Sequence, residues 1–324
     1  MTKSNKIILV ILIAAVLTAA ICYIVFYGTH PNVTQQNQPE QNTIIIQPKN
    51  YVQLLFVGDL MFDRGIRYYA QKGGSNKFIF EKISAELLKN DLVIANLEGP
   101  ITGNKSVSAG TAIGSTNNYF FTFDPSVAQT LADENIKIVN LGNNHILNFG
   151  QAGLDSTEKY LQSSNISYFG APGGVRSLEH DISGVKVAFV SYNEFNGVYE
   201  IEKSSALNEI KKNIDNIDIV VVFCHWGVEY AKNSTEAQKE LAHEFIDGGA
   251  DLVIGSHPHV TQPSEEYNGK MIYYSLGNFI FDQYFNDDVR NGLGVVVKID
   301  KTTKKLDFSE KHFYLESNGQ TSLK

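Results

Sequence analysis

The sequence predicts an α/β domain built on a layered sheet core. Three observations carry that prediction. From Tyr51 onward, short apolar runs alternate with runs of helical period. Four of the apolar runs end in polar segments: Gly58-Asp59, Asn96-Leu97-Glu98-Gly99, Gly142-Asn143-Asn144-His145 and His225-Trp226-Gly227. A further one ends in Gly255-Ser256-His257-Pro258-His259, which sets two imidazoles two residues apart. In α/β proteins such strand ends are where ligands and reactive groups gather.

The elements follow in order. Residues 7–27 carry no charge and are long enough to cross a bilayer, which takes about 20 apolar residues. Lys3 and Lys6 precede them, which favours a cytoplasmic N-terminus over 1–6. The reading is a single-pass anchor in the cell membrane, with the C-terminal domain extracytoplasmic. A cleaved signal peptide is the alternative. Its apolar region would be shorter and end in a small-x-small site, whereas this one ends Tyr23-Ile24-Val25-Phe26-Tyr27. Residues 28–50, rich in Gln, Asn and Pro, read as a flexible linker. The folded domain is expected over 51–318.

Within it, 52–57 reads as a strand, 78–89 as helical in period and 92–95 as a strand. Asp124 and Pro125 open a helix to about Glu134, as cap and first helical residue. A strand is expected over 136–141, an amphipathic helix over 151–163, a strand over 185–192, a helix over 207–213 and a strand over 217–223. Asn233 and Ser234 are expected to cap a helix that runs to about Asp247 and stops at Gly248-Gly249. Strands over 251–254, 271–275, 293–299 and 306–314 close the domain.

Composition narrows the function. Apolar residues make up 43% of the 324 and charged residues 19%, enough for a substantial core. The net charge of −8 and the lack of a basic stripe argue against nucleic acid as a partner. Of two cysteines, Cys22 lies in the apolar segment, so no disulfide forms within the domain and no Cys-x-x-Cys zinc motif exists. Cys224 reads as a small hydrophobe on a strand.

The candidate ligands are Asp59, Glu98, Asn144, His145, His225, His257 and His259. Carboxylate, amide and imidazole without thiolate suit Mn, Fe or Zn in five- or six-coordinate sites rather than structural zinc. A bridging carboxylate can hold two metals about 3.5–4 Å apart, and such a pair activates water and clamps a phosphoryl or acyl group. Each residue also has an ordinary structural reading. Asp59 is then a cap, Glu98 a solvated turn carboxylate, His225 a core histidine, His145 a loop residue, and His257 and His259 hydrogen-bonded turn residues. Arg64, just after the first polar strand end, reads either as surface or as a contact for an anionic substrate. The Gly/Ser-rich loop 103–116 follows Glu98 and has the length of a lid.

Taken together the segments resemble the CapA family, the poly-γ-glutamate capsule-synthesis (PGA_cap) proteins, within the calcineurin-like metallophosphoesterase fold group. They are Gly58-Asp59-Leu60-Met61, Asn96-Leu97-Glu98-Gly99-Pro100-Ile101-Thr102, Asn143-Asn144-His145, His225-Trp226-Gly227-Val228-Glu229-Tyr230, Gly255-Ser256-His257-Pro258-His259-Val260 and Tyr274-Ser275-Leu276-Gly277-Asn278-Phe279. The resemblance implies a metallophosphoesterase-like layered α/β/β/α sandwich preceded by one N-terminal transmembrane helix. It implies two divalent ions. Asp59 and His259 would serve the first metal, Asn144, His225 and His257 the second, and Glu98 stands at the place of the bridging aspartate. His145 matches the histidine that protonates a leaving group. Two positions depart from the ordinary metallophosphoesterase pattern: Met61 replaces a histidine ligand, and Glu98 replaces an aspartate.

Two functions follow from the resemblance. One is a membrane-anchored, extracytoplasmic protein of capsule or poly-γ-glutamate biosynthesis with a metal-dependent hydrolase-type site, in which metal-activated water attacks and His145 acts as general acid. The other is a non-catalytic accessory subunit that binds an anionic polymer such as poly-γ-glutamate within a capsule synthase or export complex.

Overall fold

The structure, a computed structural model, describes residues 3–28 and 49–324. The chain divides into two units, Met1–Pro48 and Lys49–Lys324.

The first unit contains α1 (Lys3–Tyr27). Its described apolar side chains are exposed, Ile11, Leu12 and Ile24 among them. Among the described residues no helix is long and apolar enough to cross a membrane. The transmembrane helix expected over 7–27 is therefore not borne out as a span. The expected linker over 28–50 lies outside the described residues except at 28, 49 and 50.

The second unit runs β1 (Tyr51–Leu60), α2 (Arg64–Lys72), α3 (Lys77–Phe80), α4 (Ser84–Leu87), β2 (Leu92–Leu97), α5 (Ser126–Asp133), β3 (Ile136–Asn140), α6 (Gly150–Ser163), β4 (Ser167–Phe169), β5 (Ser177–Ile182) and β6 (Val185–Asn193). It continues α7 (Tyr199–Asn213), β7 (Ile219–His225), α8 (Glu236–Asp247), β8 (Leu252–Ser256), β9 (Ser264–Tyr267), β10 (Lys270–Tyr273), β11 (Asn278–Ile280), β12 (Asn291–Asp300), β13 (Leu306–Leu315) and β14 (Thr321–Leu323). The folded unit extends past residue 318, because β14 pairs antiparallel with β13.

Two sheets form. One has the order β14-β13-β12-β1-β2-β3-β4, with β11 beside β1, and the other β5-β6-β7-β8-β10-β9. Alternation along the strands builds three apolar layers. Val52, Leu54 and Phe56 of β1 meet Phe189, Val221 and Phe223 between the sheets. Leu55 and Val57 face the other way, toward Ile66, Phe80, Leu131 and Leu154 of the helical layer over the first sheet. Ala188, Val190 and Val222 pack beneath Ala206, Ile210 and Phe245 of α7 and α8. This is a mixed α/β/β/α sandwich with two sheets, as the sequence predicts, and it is consistent with a metallophosphoesterase-like fold.

Several local expectations change. The helical period over 78–89 breaks into α3 and α4, joined by a turn in which Ile83 N–H donates to Phe80 O at 2.9 Å. Ile79, Phe80, Ile83 and Leu87 are all buried, so the apolar spacing is that of one helix although the backbone makes two. The cap of α8 is Thr235, not Asn233 or Ser234; it forms a capping box with Gln238. Helix α7 begins eight residues before the expected 207, at Tyr199.

What the fold does for function is simple. β1, β2 and β3 run parallel in one sheet, and β6, β7 and β8 run parallel in the other. Their C-terminal ends come to one edge of the sandwich.

Candidate metal centre

Asp59 is the penultimate residue of β1, and its backbone N–H donates to Gly277 O at 3.1 Å. A Cβ on Gly58 would meet that same oxygen at 1.8 Å, and one on Gly255 would meet Tyr274 O at 1.9 Å. Glycine is therefore required where the two loops cross the strand ends. Glu98 directly follows β2, held by its N–H to Leu60 O at 2.9 Å. His257 and His259 follow β8 on a turn in which both have positive φ, 96° and 58°. Such backbone costs on the order of 1–3 kcal/mol per residue and clusters at functional sites.

The structure brings all seven expected residues to this edge and sorts them. Asp59, Glu98 and His259 are buried, and each offers a ligand atom within 4.8 Å of the others. His259 Nδ1 lies 3.4 Å from Asp59 Oδ2, and its Nε2 lies 3.7 Å from Glu98 Oε1. Asn278 Oδ1, at 2.9 Å, accepts from His259 Nδ1, which leaves Nε2 facing the carboxylate. The second set is Asn144, His225 and His257. Asn144 Oδ1 is 2.9 Å from His225 Nε2, and the rings of His225 and His257 lie 4.8 Å apart. His145 stands beside the first set, with Nε2 3.8 Å from Glu98 Oε1.

Electrostatics separates these groups further. Burial, aided by the charge of Asp59, pushes the Glu98 carboxyl well above its ordinary range. Burial drives His225 well below the ordinary imidazole value, His257 to about 3 and His145 to about 4. Burial acts on His259 too, but Glu98 and Asp59 outweigh it and raise the ring to about 9.

The donor set fits divalent ions. Both Glu98 oxygens and His257 Nδ1 are buried without a hydrogen-bond partner among the described residues. A carboxylate in that state is strongly disfavoured unless a proton or a cation neutralises it. Oxygen and imidazole donors, with no thiolate, suit Mn, Fe or Zn. Cys224 faces away, packed with Trp226 and Phe245 in the α7–α8 layer.

Met61 gives no ligand. It is fully buried, and its sulfur accepts the backbone N–H of Asp63 at 3.0 Å. Arg64 is not a surface residue. It is 11% exposed and pairs with Asp282 at 2.5 Å.

Sequence reasoning passed over Asn96. Its Nδ2 donates to Asp59 Oδ1 at 2.8 Å and lies 3.2 Å from His225 Nδ1. The signal was available: Asn96 precedes Glu98 by two along an extended segment, and side chains two apart share a face. Ser256, 3.0 Å from His225 Nδ1, was missed in the same way.

Comparison with known proteins shows the family of the chain. The family model for the bacterial capsule synthesis protein PGA_cap matches residues 53–283. The "PGA biosynthesis protein CapA" of Bacillus subtilis (strain 168) is 31% identical over 247 residues, covering 70% of this chain and 63% of that protein. The "Capsule biosynthesis protein CapA" of Bacillus anthracis is 29% identical, covering 71% of this chain and 60% of that one. The chain thus spans about three fifths of the length of these curated relatives. Among solved structures, a hypothetical protein from Thermus thermophilus superimposes with a TM-score of 0.50 at 17% identity, covering 81% of this chain and 99% of that one. At that identity the likeness speaks to the fold alone.

Proposed function

The chain belongs to the PGA_cap family of bacterial capsule synthesis proteins, and on that premise we propose that it is a membrane-attached, extracytoplasmic protein of capsule or poly-γ-glutamate biosynthesis with a divalent-metal hydrolase-type site. The observation that carries the site reading is Glu98, a buried carboxylate between His259 and His145 with no hydrogen-bond partner among the described residues. Asp59, Glu98 and His259 would hold one ion, and Asn144, His225 and His257 a second. An ion held there supplies Lewis acidity toward a phosphoryl or acyl group.

The chain's own residues handle the proton. Asn148 Oδ1 accepts Phe121 N–H at 2.8 Å and lies 3.2 Å from His145 Nδ1. The neutral ring therefore carries its proton at Nδ1 and presents a bare Nε2 toward Glu98. To protonate a leaving group, His145 must take a second proton at Nε2; burial, which holds the ring at about 4, opposes this, and an anionic substrate group beside the ring would offset it. Phe121, with its ring centre 4.4 Å from that of His145, keeps water off one face of the imidazole.

Attachment to the membrane through 7–27 is supported by the uncharged segment and by the exposed apolar side chains of α1. The relatives are named for PGA and capsule biosynthesis, and on that footing an anionic polymer and capsule synthase subunits are the partners of this reading. Metal content of the full chain, measured beside a His257→Ala/His259→Ala variant, tests the site. About two equivalents of Mn, Fe or Zn lost in the variant support it, and no retained metal after reloading with each ion overturns it.

A second reading, a non-catalytic polymer-binding subunit, is favoured by Met61, whose sulfur is committed to Asp63 and adds no imidazole to the first set. Polymer affinity with no turnover by the metal-loaded chain would select it.

A further inference from the structure

Beside the metal centre lies a cavity of about 700 Å³, within the range of small-molecule sites. Its wall is aromatic: Tyr68, Tyr69, Tyr119, Tyr230, Tyr284 and Phe285 line it. It adjoins the candidate ligands, since the Tyr230 ring centre is 6.1 Å from that of His259. Arg64, at its back, lies 4.9 Å from the centre of Phe121 and 5.5 Å from that of Phe281. Those two rings pack on His145 and His259 in turn, at 4.4 and 4.8 Å.

Two features of the lining select the ligand. Among the described residues Arg64 is the single cationic side chain in the wall, and Asp282, also in the wall, pairs with it at 2.5 Å. The cavity is therefore electrically neutral. A polyanion threaded through it would bury one carboxylate per residue with no counter-charge, which is costly. The second feature is ring geometry. Tyr68 and Tyr69 meet at 72°, and Tyr230 and Phe285 at 84°. These edge-to-face pairs offer single faces rather than a stacked pair of rings. Single tyrosine faces with hydroxyls beside them match a ring that is apolar on its faces and polar at its rim.

We propose that this cavity is a saccharide subsite, holding a neutral sugar segment of the substrate while an anionic reacting group lies at the metal centre. The inference rests on the metal-site reading and deepens it: the part of the substrate that does not react is carbohydrate, and a free polyglutamate chain is not what fills this cavity. Tyr68 and Phe285, 57% and 63% exposed, form its open rim, so they are removable without disturbing the core or the ligands.

The test is calorimetry and saturation-transfer NMR on the full chain in detergent, with chitotriose, tri-γ-glutamate and adenosine as probes. Chitotriose should bind, and Tyr68→Ala/Phe285→Ala should weaken it at least tenfold at unchanged metal content. Tyr68→Phe should bind as the parent does. Binding of tri-γ-glutamate or adenosine that the same double variant removes, without chitotriose binding, overturns the saccharide assignment, as does binding of no probe. The two readings fail separately. If the metal site is wrong, no metal is retained and chitotriose still binds; if the cavity is wrong, metal is retained and chitotriose does not bind.

Discussion

Asn96 and Asp59 lie in register on neighbouring parallel strands, and Asn96 Nδ2 donates to Asp59 Oδ1 at 2.8 Å. The same nitrogen lies 3.2 Å from His225 Nδ1, so one neutral side chain touches a member of each ligand set. Its Oδ1 is fixed in turn by Asn140 Nδ2 at 3.2 Å and Asn143 Nδ2 at 3.3 Å.

Replacing Asn96 should therefore loosen both sets together. Asn96→Ala leaves a buried carboxylate oxygen short of a donor, a cost of about 1–3 kcal/mol. We expect a lower denaturation midpoint in chelator and weaker retention of metal by the whole centre. Loss confined to one equivalent would mean that the amide serves only one set.

The metal-free chain should be most stable near pH 6.5. His145, His257 and His225 all have folded-state pKa values below the ordinary 6.5. As pH falls through 6.5 the unfolded chain takes up protons that the folded chain refuses, and stability drops until about pH 4 for His145 and about pH 3 for His257. His259 is raised to about 9, so its contribution is complete below 6.5 and is lost as pH rises toward 9. Glu98, raised above its ordinary 4.5, also favours the folded state at low pH and opposes the three histidines on the acid side, one group against three. Thermal melts in EDTA across pH 4–9 check this. A midpoint that climbs steadily as pH falls below 6.5 would contradict the assigned burial.

Met61→Leu should leave metal content unchanged. The substitution roughly conserves volume, so packing changes by less than about 1.5 kcal/mol, and the main loss is the acceptor for Asp63 N–H. A fall in metal content would place the thioether nearer the ions than its contact with Asp63 implies.

Thr235→Ala should cost about 1 kcal/mol, because it removes one half of the α8 capping box. Ser234→Ala should be close to neutral. Equal effects in urea denaturation would return the cap to the position read from the sequence.

The sequence by itself determined the alternation of elements around a layered sheet core and the candidate ligand residues at the strand ends, while the α/β/β/α layering came from the resemblance of its motifs to a known family. The first two signals are local. Strand and helix periods are written in neighbouring positions, and Asp59, Glu98, Asn144, His225, His257 and His259 sit at or just past strand ends, where side chains project from the sheet edge. The tertiary structure decided what depends on distant contacts. It divided one apolar period into α3 and α4, and it added β14, whose partner alone makes it a strand. It placed Asn96 between Asp59 and His225, which are far apart in the chain. It also turned Arg64 from a surface candidate into a half-buried partner of Asp282, more than two hundred residues away. No local pattern encodes such pairings, because the desolvation and charge that fix them exist only once both sheets have packed.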